Sequence, residues 1–328
     1  MSRQARPLTL ARTVRRTGLA VLLAMSTLIP LASPAGGAAD RTSSSTAAAC
    51  SMAPRNETVN LGTVLAPRYY HLRVPAGLTG PSMLLLSLHP GAIPPLRSQN
   101  PLFPDYNWEE ISGWTSYAAS AGFVVAYPQT VTGGPLYTWE PNNPASADVA
   151  FVRDVVSDIT AKVCIDPRNI HIDGYSMGGW MAQRMACQNP EIFASASAGG
   201  ALHPTVDAWG PPFHNWPCQP SRPISLYISF GTEDRTPENP DQPQDAFDGA
   251  LMWAQQIGCT GFTGQNMPPA DPTDPTQLSV AITYTGCPDD TVVIYRTWQG
   301  RDHIGATQPF REIGRNERYL HYLTNPRP

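Results

Sequence analysis

The sequence predicts an α/β fold, a mainly parallel sheet with helices on both faces. Three observations predict it. Continuous apolar runs at residues 82–88 (S-M-L-L-L-S-L) and 122–127 (G-F-V-V-A-Y) read as strands buried on both sides. Segments with helical apolar spacing alternate with them, as at 146–164, where Val149, Val152, Val156 and Ile159 form one stripe. Gly and Pro clusters punctuate the alternation. Strand–helix–strand order is what parallel crossovers require.

Taken in order, residues 63–74 and 82–88 read as strands. Residues 108–121 read as one helix, with Ile111, Trp114, Ala118 and Ala119 near one face. The strand at 122–127 ends at Pro128, and helix 146–164 follows. Residues 169–173 (N-I-H-I-D) alternate as a short strand, and 176–187 carry Met, Ala and Trp at helical spacing. Further strands are expected at 193–198, 223–230, 280–284 and 291–298, and helices at 245–257 and 308–323. Three stretches, 203–222, 235–244 and 261–277, are rich in Pro or Asp and read as surface loops. The first holds Trp209, Phe213 and Trp216, which would also suit an aromatic rim for a substrate.

The chain begins with a basic segment (Arg3, Arg6, Arg12, Arg15, Arg16), an apolar run at 18–31 and small residues to Ala39. This is the pattern of a secretory signal peptide, too short and wrongly flanked for a membrane anchor. Arg15-Arg16 leaves twin-arginine export open. The expected organisation is a signal at 1–39, a flexible linker at 40–55 rich in Ser, Thr and Ala, and one catalytic domain at 56–328, in a secreted, extracellular protein. Without the five arginines of the signal, 17 basic residues face 26 acidic ones, a net charge of −9. That excludes nucleic acid or an anionic membrane as the expected partner. All six cysteines lie beyond the signal with no C-x-x-C pair, so disulfides are expected and zinc is not. Cys259 and Cys287 bracket one loop region and are expected to pair; Cys50, Cys164, Cys187 and Cys218 allow three connectivities.

Gly174-Tyr175-Ser176-Met177-Gly178 fits G-x-S-x-G, set between an expected strand and an expected helix. This is the nucleophile elbow of α/β-hydrolases, where glycines spare a tight turn the bulk of a Cβ. A serine hydroxyl needs a base within hydrogen-bond reach and a group that orients the base. In such folds the acid and then the histidine follow the serine along the chain. Strand 223–230 runs into Glu233-Asp234, and Asp234 is the chosen acid over Glu233 and Asp207. Strand 291–298 runs into Gly300-Arg301-Asp302-His303-Ile304-Gly305, and His303 is the chosen base. His203 and His214 precede the acid, His321 reads as a surface residue of the last helix, and His89 as structural. Oxyanion donors are expected from the Met177 N–H, at a helix N-terminus, and from Gly91 or Ala92, since Pro90 has no N–H.

These residues, in this order, resemble the secreted esterases of the polyhydroxybutyrate-depolymerase and feruloyl-esterase type. The resemblance rests on His89 to Gly91, Asp166-Pro167-Arg168-Asn169-Ile170 leading to the elbow, Phe230 to Asp234, Trp253 to Cys259, and Gly300 to His303. The family usually has a small residue or Cys after His-Gly in the oxyanion loop, where Pro90 here intervenes, and commonly Val-Pro after the acid, where this chain has Arg235-Thr236-Pro237. The resemblance implies an α/β-hydrolase fold, Ser176 as nucleophile, His303 as base, Asp234 as orienter, and ester substrates without a metal or other cofactor. Feruloyl or acetyl esters of polysaccharide, or hydroxyalkanoate esters, are the expected class. Trp139, Trp209, Trp216 and Trp298 would suit an aryl group or sugar face. The rival readings are an acyltransferase on the same site and a catalytically silent carbohydrate-binding or cell-surface protein. Oligomeric state is not legible in the sequence.

Overall fold

The computed structural model describes residues 51–327 apart from 65, 92–106, 131–138, 141–145, 205–217, 238, 270–272, 275 and 277. Ten strands form one sheet in the order β1-β2-β4-β3-β5-β6-β7-β10-β9-β8. These are β1 Arg55–Asn60, β2 Tyr69–Val74, β3 Ser82–Leu88, β4 Val124–Pro128, β5 Ile165–Tyr175, β6 Ser195–Gly199, β7 Ser225–Gly231, β8 Gly261–Met267, β9 Ser279–Thr285 and β10 Val293–Trp298. The central run β4-β3-β5-β6-β7-β10 is parallel throughout, and the outer pairings are antiparallel. The helices are α1 Trp108–Ser112, α2 Trp114–Ala121, α3 Ala147–Lys162, α4 Met177–Gln188, α5 Gln242–Ile257 and α6 Thr307–Thr324. Among the described residues, no helix is long and apolar enough to cross a membrane.

Several expected elements are corrected. The helix at 108–121 is two helices, because Gly113 adopts φ 67°, with Asn107 capping the first through a 2.7 Å bond from the Glu110 N–H. The strand expected from residue 63 starts at Tyr69. Before it, Asn60 Oδ1 accepts the N–H groups of Gly62 and Arg68, both at 2.9 Å, and closes a turn back to β1. β5 begins at Ile165, well before residue 169, but its lead-in bulges: Ser82 pairs with Ile165 and Leu84 already with Ile170. Residues 261–267, read as loop, form β8. Nearly every residue of β8 is exposed, so it has no apolar alternation to betray it; backbone pairing with β9 holds it.

One core lies between the sheet and α3, α4 and α5, with Leu84, Leu86, Ile172, Ala196, Leu226, Met181, Met185, Val152 and Trp253 fully buried. A smaller one on the opposite face gathers Leu85, Trp114, Tyr175, Trp298 and Phe310. Cys187 pairs with Cys218, and Cys259 with Cys287 at the base of the β8–β9 hairpin. Cys164 is also disulfide-bonded; Cys50 lies outside the described residues.

Candidate active site

Ser176 stands between the end of β5 and the start of α4 with φ 54° and ψ −123°. For a residue bearing a Cβ this is a strained backbone. The surroundings over-determine it. The Ser176 N–H donates to the Gly199 carbonyl at 2.7 Å, and Ser176 O accepts the Trp180 N–H at 3.0 Å. A Cβ on Gly174 would lie 2.3 Å from the Gly178 carbonyl, and one on Gly178 would lie 2.3 Å from Leu88 O and 2.6 Å from His89 O. The two glycines thus allow the turn to close on itself and α4 to butt against the end of β3.

Asp234 and His303 come from the loops after β7 and β10, which are parallel neighbours in the sheet. Their loops therefore leave the same edge side by side, and they are stitched together. The Gly300 N–H donates to Thr232 Oγ1 at 2.8 Å, the Glu233 N–H to Arg301 O at 2.9 Å, and the Thr232 N–H to Trp298 O at 3.1 Å. Gly231 lies so close that a Cβ would sit 2.2 Å from Arg301 O.

The result is one hydrogen-bonded row. His303 Nδ1–H donates to Asp234 Oδ2 at 2.8 Å, which leaves Nε2 to accept the Ser176 hydroxyl at 2.9 Å. Asp234 is 1% exposed, so its charge is little screened by water. Glu233 points out to solvent and pairs with Arg235 at 3.4 Å; Asp207 and His214 lie outside the described residues. The structure also ties His303 to Tyr175, whose hydroxyl donates to the His303 carbonyl at 2.6 Å. Nothing in the sequence pattern signals that contact, because the two positions are adjacent only after folding.

Met177 opens α4, so its N–H has no acceptor within its own helix and lies beside Ser176 at the positive end of the helix dipole. Gly91 follows β3 and is partly exposed, while Ala92 lies outside the described residues. The preceding loop is fixed by His89. Its Nδ1–H donates to Pro90 O at 2.7 Å, and its Nε2 accepts the Thr130 N–H at 3.4 Å. Burial lowers His89 to about 4, which keeps the ring neutral.

The tryptophans divide differently from the sequence expectation. Trp139 is buried, and its indole N–H donates to His89 O at 2.9 Å, so it braces the loop after β3. Trp298 is fully buried under α6, close enough to Gly314 that a Cβ there would meet its ring at 3.0 Å. Neither presents an open aromatic face; both are packing residues. Trp209 and Trp216 lie outside the described residues. His321, expected at the surface, is buried against Tyr227 and Tyr322, with burial lowering it to about 4.

No family model matches the chain. It is 30% identical over 214 residues to feruloyl esterase B of Piromyces equi, covering 60% of this chain and 37% of that protein. It is 28% identical over 149 residues to poly(3-hydroxyalkanoate) depolymerase C of Paucimonas lemoignei, covering 43% of this chain and 33% of that protein. The chain thus spans about a third of the length of these curated relatives. Among solved structures, acetyl xylan esterase from Aspergillus awamori superposes with a TM-score of 0.56 at 15% identity, covering 82% of this chain and 99% of that one. The chain has the α/β-hydrolase fold, and its homologues are proteins named as esterases and a polyester depolymerase.

Proposed function

We propose that this chain is a secreted serine carboxylic-ester hydrolase in which Ser176 is the nucleophile, His303 the general base and Asp234 its orienter. The observation that carries the reading is the unbroken row of two short hydrogen bonds from Ser176 Oγ through His303 to Asp234. As Oγ attacks the ester carbon, its proton passes to Nε2, and the carboxylate stabilises the imidazolium and holds its tautomer. The carbonyl oxygen takes the electron pair and is met by the Met177 N–H and a second N–H from Gly91 or Ala92; one such donor typically contributes on the order of 3 kcal/mol to lowering the barrier. The imidazolium returns its proton to the leaving alcohol, and water repeats both steps on the acyl-enzyme.

The substrate class is feruloyl or acetyl esters of polysaccharide, or hydroxyalkanoate esters, in keeping with the names of the homologues. The reading keeps a signal at 1–39 and a linker from residue 40 ahead of the catalytic domain. The linker ends short of the expected residue 55, because the Ser51 N–H already bonds Lys162 O at 3.2 Å and β1 starts at Arg55. The disulfides suit export. The test is labelling by a fluorophosphonate together with hydrolysis of p-nitrophenyl acetate. Both should be present in the parent and absent in Ser176→Ala of unchanged circular dichroism. Turnover that survives in that variant refutes the assignment, and a parent that neither labels nor hydrolyses refutes the enzyme. Methyl ferulate, acetylated xylan and hydroxybutyrate oligomers at equal ester concentration then rank the acyl groups.

A further inference from the structure

The imidazole of His303 is held from two sides. Asp234 takes its ring nitrogen, and Tyr175 takes its main chain, through the 2.6 Å bond from the phenol hydroxyl to the His303 carbonyl. The Tyr175 ring also lies against the imidazole, with centroids 5.4 Å apart and planes tilted by 43°. Phe310 backs the phenol at 5.1 Å, and Tyr175 is only 2% exposed, so the hydroxyl has a fixed direction. Gly200 completes the seat. It has φ 58°, and a Cβ there would lie 3.0 Å from Tyr175 Cζ and 3.1 Å from His303 Cε1. Any larger residue would press on both rings.

Tyr175 immediately precedes Ser176 in the chain, so its backbone is continuous with the strained turn that presents the nucleophile. One dipeptide carries the reacting oxygen on its second residue and a tether to the base on its first. Resting on the Ser176–His303–Asp234 reading, we infer that Tyr175 is a positioning residue: its hydroxyl anchors the His303 carbonyl and so sets the imidazole in line with Ser176, with Gly200 leaving the space in which the two rings meet. The carboxylate fixes one ring nitrogen, and the bonds that tie Gly300 and Arg301 to the Thr232–Glu233 loop hold the chain before His303, whereas the phenol holds the main chain of His303 itself. Thr307 Oγ1 reaches the same carbonyl only at 3.4 Å, so it is a weaker second donor that keeps the carbonyl from being orphaned when the phenol hydroxyl is removed.

The experiment is Tyr175→Phe in the full chain, with kcat and KM for p-nitrophenyl acetate expressed per site titrated to completion by a fluorophosphonate. A displacement of about 1 Å in a reacting group costs on the order of 10²-fold, so kcat per titrated site should fall about 10- to 100-fold while KM stays within about twofold. A purely structural role would change the number of titrated sites and leave kcat per site alone. The proton between His303 Nδ1 and Asp234, a low-field proton NMR resonance absent from His303→Ala, should broaden in Tyr175→Phe. A kcat within about twofold of the parent, or a loss confined to KM, overturns the inference. If the parent itself shows no esterase activity, the hydrolase reading is what has failed, and the resonance alone decides the positioning role: broadening supports it and an unchanged line overturns it. If Tyr175→Phe does not fold, Gly200→Ala takes its place, with reduced kcat at constant KM as the supporting result and unchanged kcat as the overturning one.

Discussion

Acidification from pH 7 to pH 5 should destabilise this protein by several kcal/mol, and buried histidines are the reason. His89, His171 and His321 are almost completely buried. Burial lowers His89 and His321 to about 4 and His171, beside His321, to about 3. His203 falls to about 4 and His71 is also lowered, both chiefly through burial. The unfolded chain takes up these protons near the ordinary value of about 6.5, whereas the native chain resists them until about pH 4. Between those limits the unfolded state binds more protons, so stability is present above the window and is lost as pH falls through it. For one fully buried histidine the loss between pH 7 and pH 5 is about 2 kcal/mol, and for the three together about 5 kcal/mol. That is comparable with the whole stability of many domains, about 5–15 kcal/mol. Asp173 opposes the trend, because burial raises its carboxyl against the pull of Arg318, but it is one group against five. Urea unfolding followed by tryptophan fluorescence at pH 7, 6 and 5 measures the slope. His171→Gln should be less stable at pH 7 yet lose about 2 kcal/mol less on acidification. A parent whose unfolding free energy is flat across this range, or a variant with the parent's slope, refutes the argument.

The choice between neighbouring acids is decided by Asp234→Asn, which should lower kcat by up to about 10⁴-fold by disturbing the histidine tautomer, while Glu233→Gln stays near the parent; the reverse pattern in ester turnover would move the role to Glu233. Gly178→Ala should lose soluble, fluorophosphonate-reactive protein, because its Cβ would sit 2.3 Å from Leu88 O; full labelling at parental yield would show that the elbow can relax. Replacing both Cys259 and Cys287 by Ser should destabilise by about 2–4 kcal/mol in a reversible melt, since the bond closes a long loop; an unshifted transition contradicts this. Arg318→Met strands the Asp173 carboxylate in the core and should cost about 3–5 kcal/mol in urea unfolding, with much of it recovered by adding Asp173→Asn; a double variant no more stable than the single one counts against the pair.

The parts of this fold that were legible in the sequence are those whose signal is local. Continuous apolar runs marked β3 and β4, helical stripes marked α3, and the glycines around Ser176 marked a turn that admits no Cβ. Asp234 and His303 could be proposed because each follows a recognisable strand. What escaped was set by contacts between distant segments. β8 is a strand only because β9 pairs with it, and its residues carry no apolar period. Trp139 and Trp298 looked like candidate aromatic surfaces, since composition does not reveal that His89 O and α6 would claim them. His321 looked exposed because α6 is polar along much of its length, and a polar stripe reads as a solvated one.

That polar stripe faces protein, and this explains how the last helix can govern the site. On β5, Ile170 and Ile172 enter the larger core, while His171, Asp173 and Tyr175 alternate to the side of α6. Their neighbours in register on that side are Ser87, Ser195, Ser197, Ser225 and Tyr227. The helix answers with single directed contacts. Arg318 meets Asp173 at 3.4 Å, Tyr322 binds Ser197, Asn325 accepts from Ser225 at 2.6 Å, and Glu317 meets Arg296 at 3.1 Å. Apolar packing tolerates small slides, but these bonds weaken steeply with distance and angle. A slip of one residue along the axis, about 1.5 Å, would break them together. The helix starts at Thr307, four residues after His303, and the Ala306 N–H returns to Asp302 O at 2.8 Å, so the chain passes from the imidazole into the helix with little slack. Buried polarity that contributes little net stability can thereby hold Ser176 and His303 within the tolerance that the proposed acyl transfer would demand.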